Sequence, residues 1–137
     1  MNRRDFLIAT AAVTLAMPLR AQAAAVDYSP ELLQAELAAG KTVFLDFKAS
    51  WCSTCAAQER VITALLQENP AYAQGVSFIN VDWDQWGEGD LVKQLNIPRR
   101  STLVVLKGDQ ELGRIVAGTA KEEINALMDL ALQTATA

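Results

Sequence analysis

The chain has 137 residues, the length of one domain with a single hydrophobic core. Hydrophobic residues make up 51% of the sequence and charged residues 20%, a balance that excludes a disordered chain. The formal net charge is −4, so nonspecific binding to nucleic acid, which needs basic clusters, is not expected.

Residues 1–23 are predicted to be a twin-arginine signal peptide. An apolar stretch follows the paired Arg3 and Arg4, and Ala21-Gln22-Ala23 supplies an A-x-A cleavage site. The stretch is short for a membrane span, and an N-terminal anchor that is never cut is the alternative. We expect residues 24–137 to form the exported domain, in the periplasm, where a disulfide can persist.

A helix and then a buried strand are predicted at the start of this domain. Ser29 suits the N-cap of the helix, Pro30 suits its first position and Gly40 suits its end. The run Thr42–Phe47 is apolar and rich in strand formers, as a buried parallel strand requires.

Cys52 and Cys55 form a Cys-x-x-Cys pair between this strand and the next helix. Good helix formers begin at Ala56, and the helix is expected to end near Asn69-Pro70. The pair therefore lies at the first turn of a helix, where free N–H groups and the helix dipole stabilise a thiolate. Since the thiolate is the form that attacks a disulfide, this placement predicts a redox site.

A zinc site and an inert structural disulfide are the alternative interpretations of this cysteine pair. The chain contains two cysteines and no histidine, so a four-ligand zinc site would have to use carboxylates. The strand, turn and helix around the pair favour the redox site over an inert disulfide.

The second half of the chain predicts three more strands and two more helices. The strands are Val76–Val81, Thr102–Leu106 and Glu111–Ala117, and residues 107–110 form a hairpin turn between the last two. A short helix capped by Asp90 is expected to run through Leu95, and Lys121–Gln133 has the apolar spacing of a closing helix. Together these elements predict an α/β fold with a mixed sheet and helices on its faces.

The loop Asp82–Asp90 combines four acidic residues with two tryptophans and two glycines. One interpretation is a surface for docking a partner, because exposed aromatic residues are favoured at interfaces. The interpretation we favour is that Trp83 and Trp86 cover the sheet while the acids stay solvated. Calcium binding is not expected, because the spacing is not that of an EF-hand.

The segment Leu45-Asp46-Phe47-x-Ala49-x-Trp51-Cys52-x-x-Cys55 resembles the active-site segment of thioredoxins. It is similar also to the C-terminal domain of bacterial transmembrane thiol:disulfide interchange reductases. The resemblance continues through Phe78–Asp82, Leu91–Ile97 and Thr102–Gly108, and so covers nearly the whole domain. It implies a thioredoxin-like fold, in which helices flank a central mixed β-sheet, and a thiol:disulfide oxidoreductase that needs no cofactor.

The resemblance also assigns roles to single residues. Cys52 is expected to attack a substrate disulfide and Cys55 to resolve the mixed disulfide, which leaves the two as a disulfide pair. Trp51 places a large aromatic ring against the reactive sulfur. Asp46 lies in a run that ought to be buried, so its pKa should be raised, and the resemblance makes it the proton acceptor for Cys55. An Asp46 hydrogen-bonded to backbone is the alternative. Lys48 could tune the thiolate or extend to solvent, and we favour the second interpretation.

Ser101 departs from the family pattern, because the resemblance places it where a cis-proline is expected; Pro98 falls three residues early. A cis bond before a serine costs roughly 2.5–4 kcal/mol, against about 0.5–1 before proline. Either the surroundings enforce that bond, or the loop is trans and differently shaped. In the family this loop offers groups to the bound peptide, so Arg100 and Ser101 are the candidate substrate-binding residues. Arg99 and Arg100 could favour an acidic partner or lower the pKa of Cys52.

Two hypotheses for the function follow. The first is an envelope thiol:disulfide oxidoreductase that reduces protein disulfides and receives electrons from a membrane thiol reductase; its direction rests on the resemblance. The second is a metal- or cluster-binding protein, in which Cys52 and Cys55 hold Cu(I) or form a four-thiolate site across a dimer. Two features motivate the second hypothesis: a predicted signal peptide suited to the export of folded proteins, and the loss, at Ser101, of the proline that faces the cysteines in the family.

Overall fold

The structure is a computed structural model that describes residues 25–136; the predicted signal peptide at 1–23 lies outside the described residues and stays a prediction. Within residues 25–136 the chain forms five strands. They are β1 (Ala25–Asp27), β2 (Thr42–Lys48), β3 (Val76–Asp82), β4 (Thr102–Lys107) and β5 (Gln110–Val116). They make one sheet in the order β1-β3-β2-β4-β5, in which β2 is parallel to β3 and antiparallel to β4.

Six helices in the same range connect and cover the strands. They are α1 (Pro30–Ala38), α2 (Ser53–Glu68), α3 (Ala71–Gly75), α4 (Trp83–Trp86), α5 (Asp90–Gln94) and α6 (Lys121–Thr136). The predicted α/β class, with a mixed sheet between helices, is confirmed. None of the helices in this described range is long and apolar enough to cross a membrane.

The residues of β2 alternate between two hydrophobic cores, one on each face of the sheet. Phe44 lies in one core with side chains of α2, α3 and α6. Val43, Leu45 and Phe47 lie in the other, with side chains of α1 and α5. A strand covered by helices on both faces has apolar residues at every position, which is why this run carries no polar alternation. Asp46 is the exception, and alternation directs it to the same face as Phe44.

The local signals at α1 act as predicted. The Oγ of Ser29 accepts a hydrogen bond from the Leu32 N–H at 3.1 Å, which satisfies one of the free donors at the helix start. Gly40 follows the helix with φ +77°, a conformation that glycine adopts at little cost.

Three short elements were not predicted: β1, α3 and α4. Each has five residues or fewer, which is too short for a periodic pattern to emerge. Asp90 was expected to cap α5, and that prediction is wrong. The cap position belongs to Gly89 in extended conformation, and Asp90 is the first helical residue. The physical reason is that the Gly89 carbonyl already accepts a helical hydrogen bond from the Lys93 N–H, so the helix starts one residue earlier than a cap at Asp90 requires.

Trp83 and Trp86 cover the sheet as we favoured. Both are partly buried against the core on the α1 face, and the Trp86 ring meets Tyr28 edge-on with centroids 5.0 Å apart. The four acidic residues of the segment are exposed.

Gln58 joins helix α2 to two loops at one end of the sheet. Its side chain is fully buried, and Nε2 donates to the carbonyl oxygens of Ser101 at 2.9 Å and Gly118 at 3.0 Å. A buried amide in an otherwise apolar helix face costs free energy unless it is bonded. We infer that its role is to hold the loop that contains Ser101.

Replacing Gln58 with leucine, which has similar volume, is expected to lower the free energy of unfolding by about 1–2 kcal/mol. The Gly118 carbonyl would lose its donor, while the Ser101 carbonyl would keep the Ala117 N–H. Urea denaturation measures the change. Gln67→Leu, at an exposed site of the same helix, is the matched control and should alter stability by less than about 0.5 kcal/mol. Equal effects of the two substitutions would contradict the prediction.

Candidate active site

Cys52 forms the N-cap of the 16-residue helix α2. Its backbone is extended, and its sulfur accepts a hydrogen bond from the Cys55 N–H at 3.1 Å. The sulfur therefore takes the place that a serine or aspartate oxygen takes in an ordinary cap, at the positive end of the helix dipole. Negative charge on this sulfur is stabilised by the fold itself.

Both cysteines are buried and are free thiols, so the structure describes the dithiol form. Cys52 is 4% exposed and Cys55 1%, so the predicted attacking cysteine is the more exposed of the two, by a small difference. The two pack with Ala49 and Trp83. Both sulfurs are therefore largely covered in the dithiol form, and Cys52 is the slightly more exposed residue.

The pKa values of the two thiols move apart. Burial raises the pKa of Cys52, but hydrogen bonds from Cys55 and Ser101, together with the nearby Arg100 guanidinium, outweigh it and lower the value to about 7. Burial raises the pKa of Cys55, and the neighbouring Cys52 raises it further. Near neutral pH the negative charge therefore belongs to Cys52 and the proton to Cys55.

The Ser101 hydroxyl lies between the two sulfurs. Its Oγ is 3.1 Å from the Cys52 Sγ and 3.1 Å from the Cys55 Sγ, and the residue is fully buried. Such distances to sulfur allow hydrogen bonds to both. The sequence located Ser101 in the loop facing the cysteines, but nothing in the sequence showed that its side chain would contact both sulfurs.

The peptide bond before Ser101 is trans, which is one of the two possibilities that the sequence left open. No peptide bond in residues 25–136 is cis, and Ser101 has φ +64°. Its N–H donates to the Phe47 carbonyl at 2.7 Å, and its carbonyl accepts from the Ala117 N–H at 2.9 Å. Proline has neither that N–H nor access to a positive φ, so this loop shape requires another residue.

Ser101 and Arg100 were also predicted to bind substrate, and that role stays a prediction. The N–H and carbonyl of Ser101 are both bonded internally, and its hydroxyl is directed at the sulfurs. Arg100 lies nearer the surface, with its guanidinium carbon 4.4 Å from the centre of the Trp51 ring, which is a cation–π contact. Arg100 is thus the one of the two that borders the exposed approach to Cys52.

Trp51 is held from the other side by Asp84. The indole Nε1–H donates to the two carboxylate oxygens of Asp84 at 3.0 and 3.1 Å, and Trp51 itself is 58% exposed. The segment of α4 therefore contributes to the site, which the sequence did not indicate. Asp84 is 33 residues from Trp51, and no local pattern reports such a pair.

Asp46 is buried on β2, with 6% of its surface exposed. Burial raises its pKa to about 7, while Lys48 opposes and Glu59 adds to the shift. Its Oδ1 has no hydrogen-bond partner among the described residues, so the alternative in which backbone groups bind this oxygen does not hold. No hydrogen bond among residues 25–136 links Asp46 directly to Cys52 or Cys55.

A cavity of about 200 Å³ adjoins Asp46 and is bordered by Lys48, Glu59 and Asn80. The Lys48 ammonium pairs with the Glu59 carboxylate at 3.2 Å. The Lys48 side chain therefore ends in an ion pair with a carboxylate of α2, and Glu59 is itself exposed. The pair places one charge of each sign beside the buried acid.

The described residues contain no group of three or more Cys, Asp or Glu side chains that could hold a metal ion. A four-thiolate site would need a second chain, as the metal-binding hypothesis supposed, and that hypothesis stays a prediction.

Most of the domain is similar in sequence to known proteins. The sequence model of the Thioredoxin family matches residues 24–130. Thioredoxin H2-1 of Oryza sativa subsp. japonica is 34% identical over 110 residues, an alignment covering 77% of this chain and 75% of that protein. An H-type thioredoxin of Fagopyrum esculentum is 36% identical over 85 residues, covering 62% of this chain and 67% of that protein.

Solved structures of thioredoxins and a thioredoxin-like protein are also similar to this chain. The crystal structure of Trxlp from Edwardsiella tarda EIB202 is 28% identical and superposes with a TM-score of 0.65, covering 78% of this chain and 97% of that one. The thioredoxin Mala s 13 of Malassezia sympodialis, at 23% identity, superposes with a TM-score of 0.67 and covers 79% of this chain and 93% of its own, a likeness of fold. The similarity to the bacterial interchange reductases stays a prediction. The chain belongs to the thioredoxin family, and with its Cys52 and Cys55 pair it is a thiol:disulfide oxidoreductase.

Proposed function

We propose that this protein is an exported reductase of protein disulfides in the bacterial cell envelope. The observation that carries the chemistry is the Cys52 sulfur at the N-cap of α2, where the Cys55 N–H donates to it. The export rests on the twin-arginine segment at 1–23, and the direction of electron flow rests on the kinship with thioredoxins.

The proposed reaction has two steps. The Cys52 thiolate attacks a disulfide of the substrate protein and forms a mixed disulfide, releasing one substrate thiolate. Cys55 then loses its proton, attacks the Cys52 sulfur and releases the second substrate thiolate. The enzyme is left with a Cys52–Cys55 disulfide, which an electron donor must reduce; a membrane thiol reductase is the donor we propose, since the periplasm lacks a reducing thiol buffer.

The pKa of Cys52 supports the proposal that electrons flow from this protein to its substrate. A pKa of about 7 resembles that of the reactive cysteine in thioredoxin. In a strongly oxidising protein of this fold the reactive cysteine has a pKa of about 3.5, and its stable thiolate favours the reduced form. A thiolate that is only moderately stabilised leaves the dithiol a good electron donor.

Arg100 and Trp51 are proposed to border the substrate. The Trp51 ring is exposed, and the Arg100 guanidinium lies against it. An aromatic surface with a cation over its face favours a substrate that carries acidic residues near its disulfide.

The test of the function is a redox measurement with a trapping arm. Equilibration against glutathione or thioredoxin is expected to give a potential near or below about −270 mV, and a value near about −120 mV would reverse the proposed direction. Cys55→Ser should accumulate mixed disulfides with envelope proteins, because the attacking residue remains and the resolving residue is lost. Cys52→Ser is the matched control and should trap none, and trapping by both variants would count against the assignment.

Asp46 is proposed as the proton acceptor for Cys55. Its carboxyl is buried with a pKa raised to about 7, so it can take up and release a proton near neutral pH. No direct hydrogen bond joins it to the cysteines, so the proton would pass through water. The adjoining cavity of about 200 Å³ gives Asp46 its own access to water, and neither cysteine lines that cavity.

Asp46→Asn is expected to change how stability depends on pH. The folded state binds this proton more tightly than the unfolded chain, so stability present below about pH 4 is lost as pH rises towards 7. Relative to an ordinary aspartate near about 3.9, the shift is worth roughly 4 kcal/mol at most. The asparagine variant should lack this decline in urea titrations between pH 4 and 8, and should resolve mixed disulfides more slowly in single-turnover assays.

Asp109→Asn, at the exposed hairpin turn, is the control for the loss of one surface carboxylate. Parallel pH profiles for wild type and Asp46→Asn, with unchanged resolution, would remove Asp46 from the mechanism.

A further inference from the structure

The Ser101 hydroxyl can serve either cysteine without moving from its place. Its oxygen is equidistant from the two sulfurs, 3.1 Å from each. A hydroxyl has one hydrogen to donate and lone pairs to accept with, and it reorients by rotating about one bond. It can therefore donate to one sulfur while it accepts from the other.

The position of Ser101 is fixed from several directions. The Phe47 carbonyl accepts its N–H, and its own carbonyl accepts from the Ala117 N–H and the Gln58 Nε2. These bonds hold a φ of +64°, which is uncommon for residues other than glycine. The fold thus maintains a strained backbone whose effect is to direct a hydroxyl into a fully buried space between two sulfurs.

We propose that Ser101 is a catalytic residue, whose hydroxyl donates a hydrogen bond first to the Cys52 thiolate and later to the Cys55 thiolate. In the reduced protein the Cys55 S–H points to the serine oxygen, and the serine hydrogen points to Cys52. Once Cys52 is in a mixed disulfide it carries no charge, and the hydroxyl turns to Cys55. The inference rests on the thiol:disulfide exchange described under the proposed function.

The electron and proton balance does not involve a change in the serine. Two electrons pass from the dithiol to the substrate disulfide, one S–S bond breaking and one forming in each attack. The Cys55 proton goes to a base, Asp46 or solvent, and Ser101 keeps its hydrogen throughout. Its contribution is to stabilise whichever sulfur holds the negative charge inside a buried site, where a hydrogen bond to a charged group is strong.

Stopped-flow mixing of the reduced protein with 5,5′-dithiobis(2-nitrobenzoate) tests this inference. The first coloured thiolate is released when Cys52 attacks the reagent, and the second when Cys55 resolves the adduct. The rates of both phases are followed against pH in wild type, Ser101→Gly and Ser101→Ala. The two variants lack the hydroxyl but differ in backbone strain, because glycine relieves the strain of φ +64° and alanine, like serine, keeps it.

In both variants the midpoint of each pH profile is expected to rise by about one pH unit. This corresponds to a tenfold higher proton affinity of the thiolate that reacts in that phase. The plateau above the midpoint should rise roughly threefold, because a thiolate of higher pKa is more nucleophilic with a Brønsted coefficient of about 0.4–0.5. The variants should therefore react more slowly than wild type below the midpoint and faster above it. A merely structural loss would slow the reaction at every pH.

Asn96→Gly is the matched control, since Asn96 also has a positive φ, +52°, but is exposed and away from the cysteines. It should leave both profiles unchanged. The inference is overturned if neither variant shifts the midpoints, if only one variant does, or if only the first phase responds. Should Ser101→Ala fail to fold, the glycine variant decides alone.

Failure of the proposed function would look different. Wild-type protein that does not reduce insulin disulfides, yet shows the shifted profiles in the two variants, would refute the reductase role and keep the role of Ser101 in thiol chemistry. Wild-type protein that reduces insulin, together with variants whose pH midpoints are unshifted, would refute only the proposed role of Ser101.

Discussion

The pairing of strand β2 on both of its edges determines the whole site. Phe47, near its end, lies opposite Val81 of the parallel β3 and Thr102 of the antiparallel β4. Parallel pairing brings the end of β3 to this edge of the sheet, and antiparallel pairing brings the beginning of β4. The cysteine turn after β2, Asp84 after β3 and Ser101 before β4 therefore meet, although they are far apart in the chain. A shift of one residue in either register would turn every side chain of the moved strand to the wrong face.

The parts of this arrangement that the sequence predicts are those with local signals. The apolar run of β2, the cap at Ser29 and the cysteine pair at a helix start each depend on a few neighbouring residues, and each was found where expected. The contacts of Trp51 with Asp84 and of Ser101 with the sulfurs join residues more than 30 positions apart. They depend on strand register and on one unusual φ value, which composition and periodicity do not encode.

Asp46 illustrates how function and stability oppose each other in this fold. An apolar side chain at its position would complete the core around Phe44, and the carboxyl instead leaves an oxygen without a partner. The Lys48 and Glu59 pair moderates the cost without removing it, since its two charges act on Asp46 in opposite directions. The acid is retained in a cavity where its charge is costly, and this makes it responsive to pH.

The hydrogen bond from the Ser101 N–H to Phe47 also restricts the routes by which the sequence could change. Proline at this position would lose that donor and could not adopt φ +64°, so the residue and the loop shape have to change together. Proline placed on the present backbone would therefore suit neither the φ of this loop nor its hydrogen bond to Phe47. The side chain at 101 and the left-handed conformation of the loop are therefore coupled, so the residue cannot be exchanged for proline unless the path of the loop backbone changes as well.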